Sequence, residues 1–236
     1  MLIHVHRTIW LPRLTGPRSK ERISVTFPGF TQTDFNVFSV PGLNARMEGI
    51  QGHIQPKFKA LGDELCKETA TLAGDEMFLH IAKHARRTVN APVDTWMAIC
   101  DNKRGYKQHP HFQVGLFDDR VFVWLALIYE LPNKRKIAQR FLSKLNQVRG
   151  LIPQHYVLSF DHMKKDAVSV GALSKKELTE ALQRFRDVKK AELLIGLNLA
   201  STDPVLADGD AFVRLVNDTI TTLMPLYQMA REAAAS

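Results

Sequence analysis

Four of the nine histidines, His80, His84, His109 and His111, crowd between residues 80 and 111 together with Lys83, Arg86, Arg87, Lys103, Arg104 and Lys107. Guanidinium and ammonium groups grip phosphates and carboxylates, and imidazole moves protons near neutral pH. The mixture therefore suits an anionic ligand, and chemistry on it if one histidine reaches the reacting atom.

Read as a helix, Phe78–Arg87 sorts into two faces. At roughly 100° per residue, Phe78, Ile81, Ala82 and Ala85 share one arc, and His80, Lys83, His84 and Arg87 share the opposite one. No acid occurs between Glu76 and Asp94, whereas a solvated face usually mixes signs, so this stripe calls for an anionic partner. The run Lys103-Arg104-Gly105-Tyr106-Lys107 adds three cations, a glycine for a tight turn and an aromatic ring on which a base can stack. Alternation in the strand that follows puts His111, Gln113, Gly115 and Phe117 on one face. The expected anion-binding set is Lys83, His84, Arg86, Arg87, Arg104, Tyr106, Lys107, His111 and Gln113.

Metal ligation is disfavoured. His80 with His84, or His109 with His111, have chelating spacings, but the adjoining cations oppose a divalent ion and only Asp94 and Asp101 are local. No metal and no cofactor is expected. The chain has no Walker A motif, no G-x-G-x-x-G, no G-x-S-x-G, no H-E-x-x-H and no CxxC. Cys100 beside Lys103 and Arg104 reads as a buried structural thiol in preference to an activated one. Ser159, Asp161 and His162 are neighbours in sequence but do not make a triad by spacing.

The chain that must position these groups has 236 residues, 45% hydrophobic and 24% charged, the balance of a globular protein. Its longest apolar run, Val121–Tyr129, is too short to span a bilayer. Two cysteines cannot build a disulfide framework. The expected setting is cytoplasmic, without membrane contact. The net charge of +8 is concentrated: residues 1–22 carry +4, 79–111 carry +4 and 134–149 carry +6, so the remainder is acidic. A local anion site fits that map better than a uniformly basic surface.

Residues 1–25 lack any core periodicity and read as an extension, disordered or non-native; residues 26–236 read as one domain. Asp34 is expected to cap a short helix. Met47, Ile50, Ile54, Phe58 and Leu61 mark a helix that Pro56 kinks or restarts. Thr95–Cys100, His111–Phe117 and Arg120–Glu130 form an antiparallel meander whose third strand, apolar on both faces, lies mid-sheet. A helix over Asn133–Arg149 follows, then strands at Tyr156–Asp161 and near Ala167–Val170. A helix capped by the Ser174/Glu177 box comes next, then a strand over Glu192–Leu199 and a closing helix from Ala207 to Ala230, interrupted at Pro225. The fold class is α+β: a single domain with a largely antiparallel sheet of about six strands and helices mainly on one face. The opposite face, partly polar, would serve as a cleft floor.

Gly42-Leu-Asn-Ala-Arg-Met47, Ile54-Gln-Pro-Lys-Phe58, Ala82-Lys-His-Ala-Arg-Arg-Thr-Val-Asn90, Asp94-Thr-Trp96, Arg104-Gly-Tyr-Lys107, Pro110-His-Phe-Gln-Val-Gly115, Val188-Lys-Lys-Ala-Glu192 and Pro225-Leu-Tyr227 follow one another in unbroken order. In these motifs, from about Phe30 to Tyr227, the chain resembles the YktB-like family of small bacterial proteins. The resemblance implies a single bacterial, cytosolic α+β domain. It carries no assigned activity and no catalytic residues.

Three readings follow: a binding protein for phosphate-bearing ligands, nucleic acid or nucleotide; an enzyme acting on a phosphorylated or carboxylated small molecule, with His111 or His84 as acid/base; and a module docking an acidic protein. For a polymer, the stripe Lys136, Arg140, Lys144 would extend the footprint.

Overall fold

The structure is a computed structural model and describes residues 27–235. The expected extension, residues 1–25, lies outside the described residues. Seven strands form one sheet in the order β1-β2-β3-β4-β7-β5-β6, every pairing antiparallel. They are β1 (Phe78–Ile81), β2 (Asp94–Cys100), β3 (His111–Phe117), β4 (Arg120–Leu127), β5 (Val157–Ser159), β6 (Val168–Ser169) and β7 (Leu193–Ala200). As expected for a strand apolar on both faces, β4 is central, between β3 and β7.

Helices α1 (Gln32–Asn36), α2 (Leu43–Gly49) and α3 (Gln55–Ala73) precede the sheet. The α1 cap is not Asp34 but Thr31; Asp34 occupies the third helical position and closes a capping box, its Oδ2 accepting from Thr31 N at 2.7 Å. A π-helical turn over Ile50–Ile54 joins α2 to α3, and Pro56 sits in the first turn of α3, where its missing N–H costs nothing. The basic segment 134–149 is two helices, α4 (Lys134–Ser143) and α5 (Leu145–Leu151). Helix α6 (Lys175–Asp187) begins at the expected Ser174/Glu177 box; α7 (Gly209–Ala235) is not interrupted at Pro225 as expected but continues through it, its buried residues running from Phe212 to Ala233 on both sides of the proline.

Alternation along the strands divides the side chains between two faces. Met97, Ile99, Phe112, Val114, Val123, Leu125, Leu193 and Ile195 join the main core with buried residues of α3, α4, α6 and α7. On the other face Trp96, Phe117, Phe122, Trp124, Ala126 and Leu194 form a second, aromatic cluster. Gly115 makes room for it, because a Cβ there would collide with the Phe122 ring and lie 2.7 Å from the Thr95 carbonyl oxygen.

The main correction concerns residues 78–87, which are not a helix. Phe78–Ile81 is the edge strand β1, in register with Cys100–Met97 of β2. Period two prevails because Leu79 seats against Gly62 of α3 and Ile81 also packs on the core, leaving His80 on the opposite face. Beyond the bond from Ala82 N to the Trp96 carbonyl, 2.9 Å, the chain leaves the sheet. The proposed helical stripe of His80, Lys83, His84 and Arg87 therefore does not exist.

Candidate functional site

The cationic residues are distributed around the second face by β1, by the connection from Lys83 to Val93 and by the loop after β2. An open cleft of about 840 Å³ at the β1 edge is lined by His80, Lys83, Arg104, Tyr106, Lys107 and His109, among others. Although residues 78–87 are not helical, Lys83 lines the same cleft as Arg104 and Lys107. Lys83 and Arg104 are exposed and have no ion-pair partner among the described residues, whereas Lys107 reaches Glu130 at 3.3 Å. Arg86 and Arg87 do not line this cleft. Arg86 is exposed, and the Arg87 guanidinium donates to the Asn90 carbonyl at 3.4 Å.

The floor behind the cleft is closely bonded. Trp96 Nε1 donates to the Tyr106 hydroxyl at 2.9 Å, and the Tyr106 ring packs edge-on against His111 and tilted against His80, with centroids 4.8 and 5.5 Å apart. His80 Nε2 lies 2.8 Å from the Asn102 carbonyl oxygen. His111 and Gln113, expected on one face, are both there and fully buried. His111 Nδ1 lies 2.8 Å from the His109 carbonyl, a pure acceptor, so Nδ1 carries the proton and Nε2 accepts from Gln113 Nε2 at 2.9 Å. Burial holds the His111 ring down at about 3, so it stays neutral.

Deeper in lies a group that sequence reasoning missed: Asp94, His162, Glu192 and Glu130. Glu192 is buried and accepts from the His162 backbone N (2.7 Å) and from His162 Nδ1 (2.8 and 2.9 Å). This orients the imidazole and leaves Nε2 without a hydrogen-bond partner among the described residues. Burial works against a charged His162, but the hydrogen bond and charge of Glu192, reinforced by Asp94 and Glu130, raise its pKa. Trp96 stands between two imidazoles, His84 and His162, each edge-on with its centroid 5.6 Å away.

Asp94 opens β2 with no solvent exposure, and neither carboxylate oxygen has a hydrogen-bond partner in another residue among those described. Burial pushes its carboxyl up to about 6, against the pull of the His162 and Arg87 charges. His84, on the connection that ends at Asp94, bonds Thr95 Oγ1 through Nε2 at 3.1 Å and is held down at about 4 by burial and the Arg87 charge. It is the one non-glycine residue with positive φ among those described, at 49°, a left-handed conformation that costs on the order of 1 kcal/mol.

Among the described residues, two clusters have metal-like composition. In Asp161, His162 and Glu192 the Glu192 oxygens are already taken by N–H groups, and in Cys100, Asp101 and His109 the Asp101 carboxylate is paired with Arg231 at 2.7 Å. Burial pushes the Cys100 thiol up to about 12, so it is inert, as its sequence context suggested. Ser159 donates to the Asp166 carbonyl at 2.8 Å and takes no part with His162. The signals available for the missed group were Glu192 on the polar face of its strand and Asp94 at a strand start; the 30 residues separating His162 from Glu192 hid their partnership.

Residues 30–227 match DUF1054, a domain of unknown function. The chain is 56% identical over 202 residues to a UPF0637 protein of Oceanobacillus iheyensis, covering 86% of this chain and 96% of that one. It is 52% identical over 208 residues to a UPF0637 protein of Shouchella clausii, covering 88% and 97%, and 48% identical over 206 residues to one of Listeria innocua, covering 87% and 99%.

Proposed function

This chain belongs to the DUF1054 family, and we propose that it is a cytosolic binding protein for phosphate-bearing ligands, a nucleotide or nucleic acid. The observation that supports the reading is the cleft lined by Lys83 and Arg104, neither in an ion pair among the described residues, together with Tyr106, Lys107 and His109. Unpaired cations on two separate segments repel, and a phosphate between them relieves that repulsion. No helix among the described residues is long and apolar enough to cross a membrane.

The test is thermal stability in phosphate and in nucleoside monophosphates. Binding to the folded state raises the melting temperature, and Lys83→Ala with Arg104→Ala abolishes the gain. For an oligonucleotide, affinity falls steeply with salt, and each lost phosphate contact lowers the slope by about 1. A wild-type shift that survives both substitutions refutes the assignment of these residues.

A second reading, an enzyme with a histidine acid/base, is favoured by the oriented His162–Glu192 pair with Nε2 free. It moves the proton-transfer role from His84 and His111, both held neutral by burial, to His162.

A further inference from the structure

Five buried side-chain atoms lack hydrogen-bond partners among the described residues, and all five are oxygens: both of Asp94, one each of Gln113, Glu130 and Asn217. Four of them belong to residues gathered around the second sheet face. Asp94 and Gln113 share that face by alternation along β2 and β3, which run Ala98 opposite Gln113 and Asp94 opposite Phe117. The Asp94 and Glu130 charges both bear on Tyr106 and on His162. The nitrogen beside them that lacks a partner among the described residues is His162 Nε2. The face thus holds more unmet acceptors than unmet donors, while at its outer edge Lys83 and Arg104 have no ion-pair partner among the described residues.

We propose that Asp94 is the receptor for a planar pair of N–H donors on the ligand, held against the Trp96 ring, and that guanine supplies this pair on a phosphate-bearing ligand. A carboxylate with both oxygens free accepts two parallel N–H bonds, the fork geometry that a guanidinium or the N1–H and N2–H edge of guanine presents. Trp96 is fixed by its bond to Tyr106 and is buried with the His84 ring packed edge-on against it, so it becomes available for stacking when the connection that carries His84 lifts. Inside the protein Arg87 and His162 bear on Asp94 electrostatically, but neither hydrogen-bonds it. A bare metal ion fits less well: the clusters whose ligand atoms lie within 4.8 Å of one another include neither Asp94 nor Glu130. The dimensions suit a nucleotide, because Lys83 follows the Ala82–Trp96 backbone bond and Asp94 lies two residues, about 7 Å, along the strand from Trp96. Entry requires the Lys83–Val93 connection to lift. Its His84 is in a strained backbone conformation, and its backbone bonds to the rest of the protein are few: the Pro92 carbonyl accepts from Arg46 at 2.9 Å.

The inference rests on the phosphate-binding reading for its anionic half, and the experiment separates the two. Tryptophan fluorescence and thermal stability are measured with guanosine monophosphate, inosine monophosphate, agmatine and inorganic phosphate. Inosine monophosphate lacks the N2 amino group, so the guanine compound should bind at least tenfold more tightly, and Asp94→Asn should erase the difference while leaving the phosphate response. Agmatine binding that is lost in Asp94→Asn, with the two nucleotides equal, would support the same receptor with a guanidinium as its source. Equal responses to guanosine, inosine and inorganic phosphate, unaltered in Asp94→Asn, would overturn the Asp94 assignment and leave the phosphate site standing. No response to any probe would overturn both. The guanosine-to-inosine ratio is read on the wild-type protein, so the outcome does not depend on the variant folding.

Discussion

Trp96 and Tyr106 are joined by an indole N–H to phenol hydrogen bond of 2.9 Å, and this contact ties the aromatic sheet face to the loop that carries Arg104 and Lys107. Tyr106 does not hang from the loop as a free stacking platform: its ring is wedged between His80 and His111.

Tyr106→Phe keeps the ring and deletes the acceptor, leaving the N–H of the buried Trp96 unsatisfied. The expected cost is about 1–2 kcal/mol in urea unfolding, with a red-shifted or quenched tryptophan emission. An unchanged midpoint and spectrum would mean that water replaces the hydroxyl without loss.

Asp94 makes stability depend on pH in a calculable direction. Its carboxyl is raised in the folded state to about 6, so the native protein holds this proton more tightly than the unfolded chain. The stabilising contribution is complete below the unfolded value, near 4, and is lost as pH rises through about 6. His162, also raised, has the same sign, lost above the ordinary imidazole range. His84 and His111, depressed to about 4 and 3, have the opposite sign: their contribution is present above the unfolded imidazole pKa and lost as pH falls toward those values. The difference between wild type and Asp94→Asn isolates the carboxyl. At pH 7.5 the variant should be the more stable by on the order of 2 kcal/mol, and the gap should close by about pH 4. A gap independent of pH would show that the Asp94 carboxyl titrates normally.

Lys134 lies in the most basic segment of the chain but is buried, its Nζ donating to the carbonyls of Val188 (2.8 Å), Lys189 (3.1 Å) and Ala191 (2.6 Å). Lys134→Met preserves the stem and strands three carbonyls. It should lower stability by about 2–3 kcal/mol, whereas Lys136→Met, at an exposed position of the same helix, should change it by less than about 0.5 kcal/mol. Equal effects would refute the bonded role.

Chelator should leave the melting temperature unchanged. The groups with ligand composition are already bonded to protein donors: Glu192 to His162, Asp101 to Arg231. A fall in stability with EDTA, restored by zinc, would show that a metal displaces those bonds.

Most of the sheet was legible because β2, β3, β4 and β7 write their period-two pattern in long apolar strands. β1 was not: four residues contain too little alternation to compete with a helical reading of the ten-residue window, and only pairing with β2 and the notch at Gly62 decide between them. The break of the 134–149 helix at Lys144 was equally silent, since Ile137, Phe141 and Val148 keep one stripe across it. At the site, His111 and Gln113 could be placed together by alternation within one strand. Asp94, His162 and Glu192 could not, because they come from three segments whose proximity is a property of strand order. Charge counting locates Lys83 and Arg104, but gives Asp94 only as an offsetting negative charge and a local carboxylate, with nothing to mark its burial.

Strand β7 lies between β4 and β5, and the β5–β6 hairpin joins the sheet only through it. On the ribosome, the hairpin therefore emerges before the strand that will hold it. At about 5–20 residues per second, the roughly 35 residues from Ser159 to Leu193 take on the order of 2–7 s. Through that interval the free edge of β4 stays open, still to be covered by a strand of the same chain. Glu192, at the start of that late strand, and His162, just after β5, meet only when it docks. This pair is thus assembled late, and a nascent chain released before β7 is complete cannot dock that strand to hold it.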